Sequence, residues 1–289
     1  MTGDSIDELI ARHGLPSDYR EVVEGYWQPL ANAIARRAAG AKQPLIVGIN
    51  GAQGSGKSTL AQVLELLLGR RSLRAVTLSM DDLYLTKGER AAIAREVHPL
   101  FATRGVPGTH APGLGMAIIE HIRAGRSFDM PRFDKSQDDR APQGERITGP
   151  VDVLLLEGWC LGARPQADEE LLEPVNALER EEDPDGIWRS VVNLWLRGDY
   201  RVLFDQLDML VMLKVAGFAA VRRNRALQEE KLRAKAPDAP GLMDEAALTR
   251  FCDHYERLTL HMLEDLPRRA DYVFEIGPDQ RPIDLPEGL

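Results

Sequence analysis

The stretch Gly51-Ala-Gln-Gly-Ser-Gly-Lys57-Ser58 limits what this 289-residue chain can fold into more than any other. It matches G-x-x-x-x-G-K-[ST], a strand-to-helix turn whose glycines let the backbone curl until its N–H groups converge on phosphate oxygens. The flanks supply the context the motif needs. Pro44-Leu-Ile-Val-Gly-Ile49 is a short apolar run that reads as a buried parallel strand, and Lys57 to Leu68 has helical spacing. A chance glycine turn carries neither flank. The motif therefore predicts a nucleotide cradle made of Gly51, Ala52, Gln53, Gly54, Ser55, Gly56, Lys57, Ser58 and Thr59. In such a cradle the helix dipole faces the phosphates, Lys57 reaches the β- and γ-phosphates, and the Ser58 hydroxyl ligates Mg²⁺. Thr59 adds a hydroxyl near the α-phosphate. The implied cofactors are ATP and Mg²⁺.

The rest of the chain alternates between strand and helix patterns. Ser17 to Ala39 is helical, with Val22, Val23, Tyr26, Trp27, Leu30 and Ile34 at helical spacing. Further strands are expected at Leu73 to Leu78, Val151 to Leu156, Met209 to Val215 and Tyr272 to Ile276, and Phe128 to Phe133 is expected to be extended. Helices are expected at Thr86 to Ala94, Ala117 to Ala124, Ala167 to Leu196 with a break near Asp183-Pro184-Asp185-Gly186, Ala219 to Ala234, and Glu245 to Leu266. Arg104 to Gly115 reads as loop, Asp134 to Gly149 as a polar segment broken by Pro142, and Lys235 to Gly241 as a Pro-rich break. Alternation of this kind implies an α/β fold, a parallel sheet sandwiched by helices. With no composition shift to mark a boundary, residues 1–289 read as one P-loop domain, in which residues 1–40 form an N-terminal helical extension.

Carboxylates stand where such a sheet exposes its chemistry. Asp81 and Asp82 follow the second strand, and ligands of open parallel sheets bind beyond the carboxyl ends of the strands. An aspartate there acts as a base towards a substrate hydroxyl or helps hold Mg²⁺; a helix cap is the bland alternative. The residues alone do not say which of the two is the base. Glu157 ends the most apolar strand, at the Walker-B position, where a carboxylate engages Mg²⁺. A charge at that depth needs a partner, and Gly158 beside it permits close approach. The predicted metal set is Ser58, Asp81 and Glu157.

Basic residues cluster twice. Arg222, Arg223 and Arg225 precede Gln228-Glu-Glu-Lys231 on one helix, where they are either a cationic closure over a transferring phosphoryl group or a solvated face with i,i+4 pairs. Arg132, Lys135 and Arg140 surround Asp134 and suggest anion binding. His110 sits in a Gly/Pro loop, where a lone histidine is more often structural than catalytic. His98, His121, His254 and His261 have no metal-ligand spacing, and Trp188 and Trp195 read as packing residues.

A net charge of −9, from 36 basic and 45 acidic residues, argues against general binding to nucleic acid or anionic membranes. The two cysteines, Cys160 and Cys252, fit a reduced protein. Met1 to Ile10 carries Asp4, Asp7 and Glu8 and does not look like a signal peptide. Apolar runs such as Val151 to Leu156 are strand-sized. These features point to a cytoplasmic enzyme with a small-molecule partner; they do not bear on oligomeric state.

Taken in order, the motifs resemble the D-glycerate 3-kinase family, itself related to uridine kinase, phosphoribulokinase and bacterial pantothenate kinase. They are Gly51 to Ser58, Ser79-Met-Asp-Asp-Leu-Tyr-Leu85, Arg104-Gly-Val-Pro-Gly-Thr-His110, Pro131-Arg-Phe-Asp-Lys-Ser136, Leu156-Glu-Gly-Trp-Cys-Leu-Gly162, Arg225 with Gln228-Glu229, and Tyr255-Glu-Arg-Leu-Thr259. The similarity runs from about Pro44 to Ile276. It implies a catalytic base at Asp81, a Walker-B carboxylate at Glu157 and a lid arginine at Arg225, with Lys57 completing the catalytic set. It also implies an inserted acceptor-binding region over about 100–149 and a helical lid over about 216–241. Tyr84, Arg104, His110, Arg132, Asp134, Lys135 and Arg140 would line the acceptor side together with Asp81. Two positions depart from the family pattern: Ala111 stands where an acidic residue is usual, and Asn224 where an aromatic is usual. The resemblance favours transfer from ATP to D-glycerate, giving 3-phosphoglycerate. Alternatives are another hydroxylated acceptor (a nucleoside, pantothenate or a sugar phosphate) or a slow ATPase or switch protein. Against a GTPase-type switch, no Asn-Lys-x-Asp motif is present; Thr86-Lys-Gly-Glu89 is a poor imitation.

Overall fold

Leu45–Gly51 is buried along its whole length, as a central strand is when both faces of its sheet are covered and both its edges are paired. The computed structural model describes residues 5–235 and 242–289 and supplies both neighbours. In chain order the strands are β1 (Leu45–Gly51), β2 (Ala75–Ser79), β3 (Phe128–Met130), β4 (Phe133–Asp134), β5 (Asp139–Arg140), β6 (Glu145–Ile147), β7 (Val153–Gly158), β8 (Met209–Val215) and β9 (Tyr272–Ile276). Five of them form one sheet in the order β2-β7-β1-β8-β9, and every pairing in it is parallel. Parallel neighbours need long crossovers, and helices fill these. The fold is α/β of the P-loop kind.

Register decides which residues meet at the functional edge. Ile49 pairs with Glu157 across β1 and β7, and Ser79 pairs with the same Glu157 across β2 and β7. The turn after β1, the turn after β2 and the tip of β7 therefore open on one edge, the carboxyl ends of the strands.

The segment expected as an acceptor-side insertion is not featureless. β3 pairs antiparallel with β6, and β4 with β5; β3 and Phe133 lie in the segment expected to be extended, and β5 and β6 in the stretch read as polar. Ladders of two and three residues are too short to show a period-2 pattern. The helix read as starting at Ala117 begins at Pro112, a residue well suited to a first helical turn because it has no N–H to leave unpaired.

Several expectations need correction. A helix at Ile6–His13, not anticipated, is closed by a capping box between Ser5 and Glu8 and ends on left-handed Gly14. The Ser-x-x-Glu signal was present in the sequence. The helix expected from Ser17 runs from Tyr19 to Gly40 but contains a π turn, Val23–Trp27, just ahead of Pro29. Proline lacks an N–H for the helical ladder and its ring crowds the preceding turn, and the wider turn relieves both. Trp27 meets Phe274 of β9 edge-on, with ring centroids 5.0 Å apart, and fixes this helix beside the sheet edge.

The helical stretch expected over Ala167 to Leu196 breaks near Asp183 to Gly186 as expected but is also broken earlier, giving a 3₁₀ turn at Asp168–Leu171 and helices at Ala177–Glu182 and Ile187–Arg197. Pro174 ends the first stretch and Asn176 caps the next helix by accepting the N–H of Glu179 at 3.0 Å. A further helix, Asp199–Phe204, was not anticipated. The basic helix runs Phe218–Lys235. The last part of the expected lid and of the Pro-rich break, residues 236–241, lies outside the described residues. Cys160 and Cys252 are both free and buried.

Candidate active site

At the end of β1 the chain turns through Gly54 and Gly56, with φ of +72° and +91°, a region closed to most side chains. The helix Lys57–Gly69 then starts without a side-chain cap, so its first N–H groups remain available to an anion. Ser55 is buried beneath the loop.

Ser58, in the first turn of that helix, donates its hydroxyl to Glu157 Oε1 at 3.0 Å. Glu157 is only 4% exposed, and its second oxygen is buried with no hydrogen-bond partner. A buried carboxylate oxygen without a donor is costly unless a cation meets it. The pair therefore fits a hard divalent ion. Among the described residues no cluster of three or more acidic, His or Cys side chains could hold a metal alone. Ser58 and Glu157 would hold such an ion together with substrate phosphates, the usual arrangement for Mg²⁺.

The two neighbouring aspartates have different surroundings. Asp81 lies in the 3₁₀ turn Met80–Leu83 and takes the Lys135 ammonium on Oδ2 at 2.6 Å. Burial pushes its carboxyl up, but the charges of Lys135 and Lys57 outweigh this and hold it below the usual aspartate value. Asp82 points instead to the insertion. It accepts the Phe133 N–H at 3.0 Å and the Arg132 guanidinium at 2.9 Å, and burial raises its carboxyl despite both. Asp82 is thus a strut between β2 and β4.

Gln53, Gly54, Gly56, Lys57, Ser58, Thr59, Asp81, Lys135, Glu157 and Gln228 line one cleft of about 360 Å³. Of the residues expected on the acceptor side, the structure places Lys135 and Asp81 there. Arg132 spans Asp82 and Glu145 and lines an adjoining cavity. Tyr84 is buried and stacked on His110, with centroids 4.4 Å apart, and its phenol is kept protonated by burial and by the Asp81 charge. Burial lowers the His110 imidazole to about 4, so it is neutral at physiological pH. Arg140 donates to the Tyr84 carbonyl at 2.9 Å. Arg104 pairs with Asp138, as does Arg90, and both guanidinium groups lie over the Phe133 ring, at 5.6 and 5.7 Å. Asp134 turns onto its own loop, accepting the Ser136 N–H at 2.8 Å.

The arginines of the Phe218–Lys235 helix stand away from the cleft. Arg225 pairs with Glu229 at 2.9 Å and lies over the Phe251 ring at 5.3 Å; Arg222 pairs with Asp253 at 2.7 Å. Contact with the phosphate loop comes from Asn224, whose side chain packs directly on Gly54. An aromatic at 224 would not fit that contact without moving the helix. Ala111 is the residue before the helix Pro112–Arg123 and gives it no side-chain cap. An acidic residue at 111 would stand where helix caps stand.

The sequence reading missed Arg90, Asp138 and Tyr200. Their roles come from contacts across 34 to 92 residues of chain, for which a single sequence carries no signal.

No protein-family model matches the chain. It is 33% identical over 226 residues to an uncharacterised kinase of Schizosaccharomyces pombe, a match covering 74% of this chain and 79% of that one. To the chloroplastic D-glycerate 3-kinase of Arabidopsis thaliana it is 28% identical over 260 residues, covering 83% of this chain and 54% of that protein. Its fold superposes on a D-glycerate 3-kinase from Cryptococcus neoformans with a TM-score of 0.73 and 25% identity, over 89% of this chain and 97% of that one. With the phosphate loop, the Ser58–Glu157 pair and the parallel sheet already in place, these likenesses agree: the chain belongs to the D-glycerate 3-kinase family of P-loop kinases, phosphotransferases with an alcohol group as acceptor.

Proposed function

We propose that this protein transfers the γ-phosphoryl group of ATP to D-glycerate, giving 3-phosphoglycerate and ADP. The observation that carries the reading is the single cleft in which Lys57, the Ser58–Glu157 pair, Asp81 and Lys135 converge. D-glycerate is favoured because relatives matching most of this chain bear that substrate in their names.

The residues divide the work as follows. The phosphate loop, Gly51 to Thr59, orients the triphosphate through its N–H groups and Lys57. Ser58 and Glu157 would hold Mg²⁺, with Asp81 on the same cleft; when bound, the ion would neutralise charge on the transferring group. Asp81, kept ionised by Lys135 and Lys57, accepts the proton of the acceptor hydroxyl as that oxygen bonds to the γ-phosphorus and the bond to the β,γ-bridging oxygen breaks. Lys135 then guides the acceptor anion. Arg104, Arg132 and Arg140, held by Asp138, by Asp82 and Glu145, and by the Tyr84 carbonyl, brace the acceptor side together with Tyr84, His110 and Asp134, and leave Lys135 as the cation that faces the acceptor. Arg225 leaves Glu229 and swings over the phosphates as the helical lid closes, excluding water.

The test is ADP release by the purified protein with ATP and MgCl₂, with and without D-glycerate. Strong stimulation, loss of it in Asp81→Asn, and 3-phosphoglycerate as the product support the reading. ATP turnover stimulated only by a nucleoside, pantothenate or a sugar phosphate discards glycerate. Slow turnover that no acceptor changes discards the kinase assignment of the site.

A further inference from the structure

The loop 104–110 is fastened from several sides. Trp159 donates to the Gly105 carbonyl at 2.8 Å, Tyr255 to the Arg104 carbonyl at 3.1 Å, and the Gly105 N–H to Thr109 Oγ1 at 2.9 Å. The last fastening is Tyr200, on the helix Asp199–Phe204, which is 1% exposed and has no part in the chemistry described above.

The Tyr200 hydroxyl makes three contacts with this loop. It accepts the Gly108 N–H at 2.8 Å and the His110 N–H at 3.2 Å, and it lies 2.7 Å from His110 Nδ1. A phenolic hydroxyl has one proton to give and about two acceptor positions. Both acceptor positions face backbone donors, so the contact with Nδ1 must use the hydroxyl proton. Nδ1 is then the acceptor, and the ring proton of the neutral imidazole sits on Nε2. That Nε2 is buried and has no hydrogen-bond partner. A buried donor left unpaired is costly and calls for an explanation. The ring is stacked on Tyr84, which follows the Asp81 turn, and the Asp81 carboxylate is the charge that acts on it.

We propose that Tyr200 is a positioning residue that fixes His110 as the neutral Nε2–H tautomer, and that this N–H donates to a second oxygen of the acceptor while Asp81 takes the reacting hydroxyl. The inference rests on the reading that Asp81 receives the acceptor hydroxyl. It narrows the substrate class to compounds with an oxygen substituent near the phosphorylated hydroxyl, as hydroxy acids have and simple alcohols lack. A fixed neutral donor suits an anionic site because its hydrogen bond persists whether or not the acceptor's own charge is balanced by Lys135.

Two measurements test it on the full-length protein. Long-range ¹⁵N–¹H spectra of histidine-labelled protein, with His110 assigned by its loss in His110→Gln, report the tautomer directly. The wild type is expected to show a protonated Nε2 and a bare Nδ1, and Tyr200→Phe a mixture of tautomers. An Nδ1–H tautomer or an imidazolium in the wild type overturns the proposal, as does a spectrum that Tyr200→Phe leaves unchanged. In steady-state assays Tyr200→Phe is expected to raise KM for D-glycerate roughly tenfold, the worth of one hydrogen bond, with KM for ATP within about twofold. His110→Gln, which still presents a side-chain N–H, is expected to lose less than His110→Phe. Parallel increases in both KM values would mean a merely structural role and also overturn it. If D-glycerate is not a substrate, the proposed function fails on its own; the spectra still decide the role of Tyr200, and the KM comparison moves to whichever acceptor is turned over.

Discussion

The Ser58 hydroxyl lies 3.0 Å from Glu157 Oε1, joining the first turn after the phosphate loop to the tip of the neighbouring strand β7. The other Glu157 oxygen is buried and unpaired. Glu157→Gln keeps the shape and removes the charge. Turnover at fixed Mg²⁺ is expected to fall ~10²-fold or more, as for loss of a group that acts only on the charged transition state. Partial recovery at high Mg²⁺ is expected, and thermal stability without nucleotide should not fall, because an uncompensated buried charge has been removed. A Mg²⁺ titration of initial rates, alongside melting curves, checks both. Unaltered Mg²⁺ dependence would remove Glu157 from the metal site.

Asp81 and Lys135 are joined at 2.6 Å, and Lys135 is one of the two charges that hold the Asp81 carboxyl below its usual value. Lys135→Ala is therefore expected to move the acid limb of the kcat–pH profile to higher pH, since the lost cation no longer favours the ionised base. Asp81→Asn should lower kcat ~10²-fold or more while leaving nucleotide affinity near that of the wild type. Asp82→Asn should instead raise the acceptor KM, because it disturbs the contacts to Phe133 and Arg132 and not the base. Similar kinetic defects in the two asparagine variants would contradict the division of roles.

Arg225 sits on Glu229 and Phe251 in this structure, outside the cleft. If it closes over the phosphoryl group, Arg225→Ala should cost ~10³-fold in kcat, by analogy with arginine fingers, and should also lower stability, because the buried Glu229 carboxylate loses its cation. An Arg225→Ala enzyme with normal turnover would sink the lid role. Single-turnover measurements separate loss of chemistry from altered product release.

His254 is buried on the helix Glu245–Asp265, and burial lowers its imidazole from 6.5 to about 4. The unfolded chain binds this proton from about pH 6.5 downward and the folded chain only near 4. Stability is thus fully present above the unfolded value and declines as pH falls from 6.5 towards 4, by up to ~3 kcal/mol for such a shift. Urea unfolding at pH 7 and pH 5 should show this loss, and His254→Gln should show a smaller one. An equal loss in the variant would assign the effect elsewhere.

Much of the site could be read from local pattern. The phosphate loop is contiguous, and its role follows from an apolar run before it and a helical period after it. Glu157 was legible because it terminates the run Val151 to Leu156, so the strand that carries it announces its position. The 3₁₀ turn Met80–Leu83 kept both aspartates in view but did not separate them. Their difference lies in Lys135 and Arg132, which are 54 and 50 residues further along the chain. Arg132 and Arg140 look like anion ligands by charge alone, with Asp134 between them; the partners of the three, Asp82, Glu145, the Tyr84 carbonyl and the Ser136 N–H, belong to the folding of the insertion.

The sequence by itself determined the sheet, the phosphate loop and the carboxylate at its edge, because periodicity and glycine spacing are local consequences of burial and backbone sterics. Tertiary structure alone decided which aspartate faces Lys57, where Arg225 rests, and which groups meet the His110 ring. Each of those depends on side chains brought together from distant parts of the chain, and for them only the packed fold sets the distance on which a charge or a hydrogen bond depends.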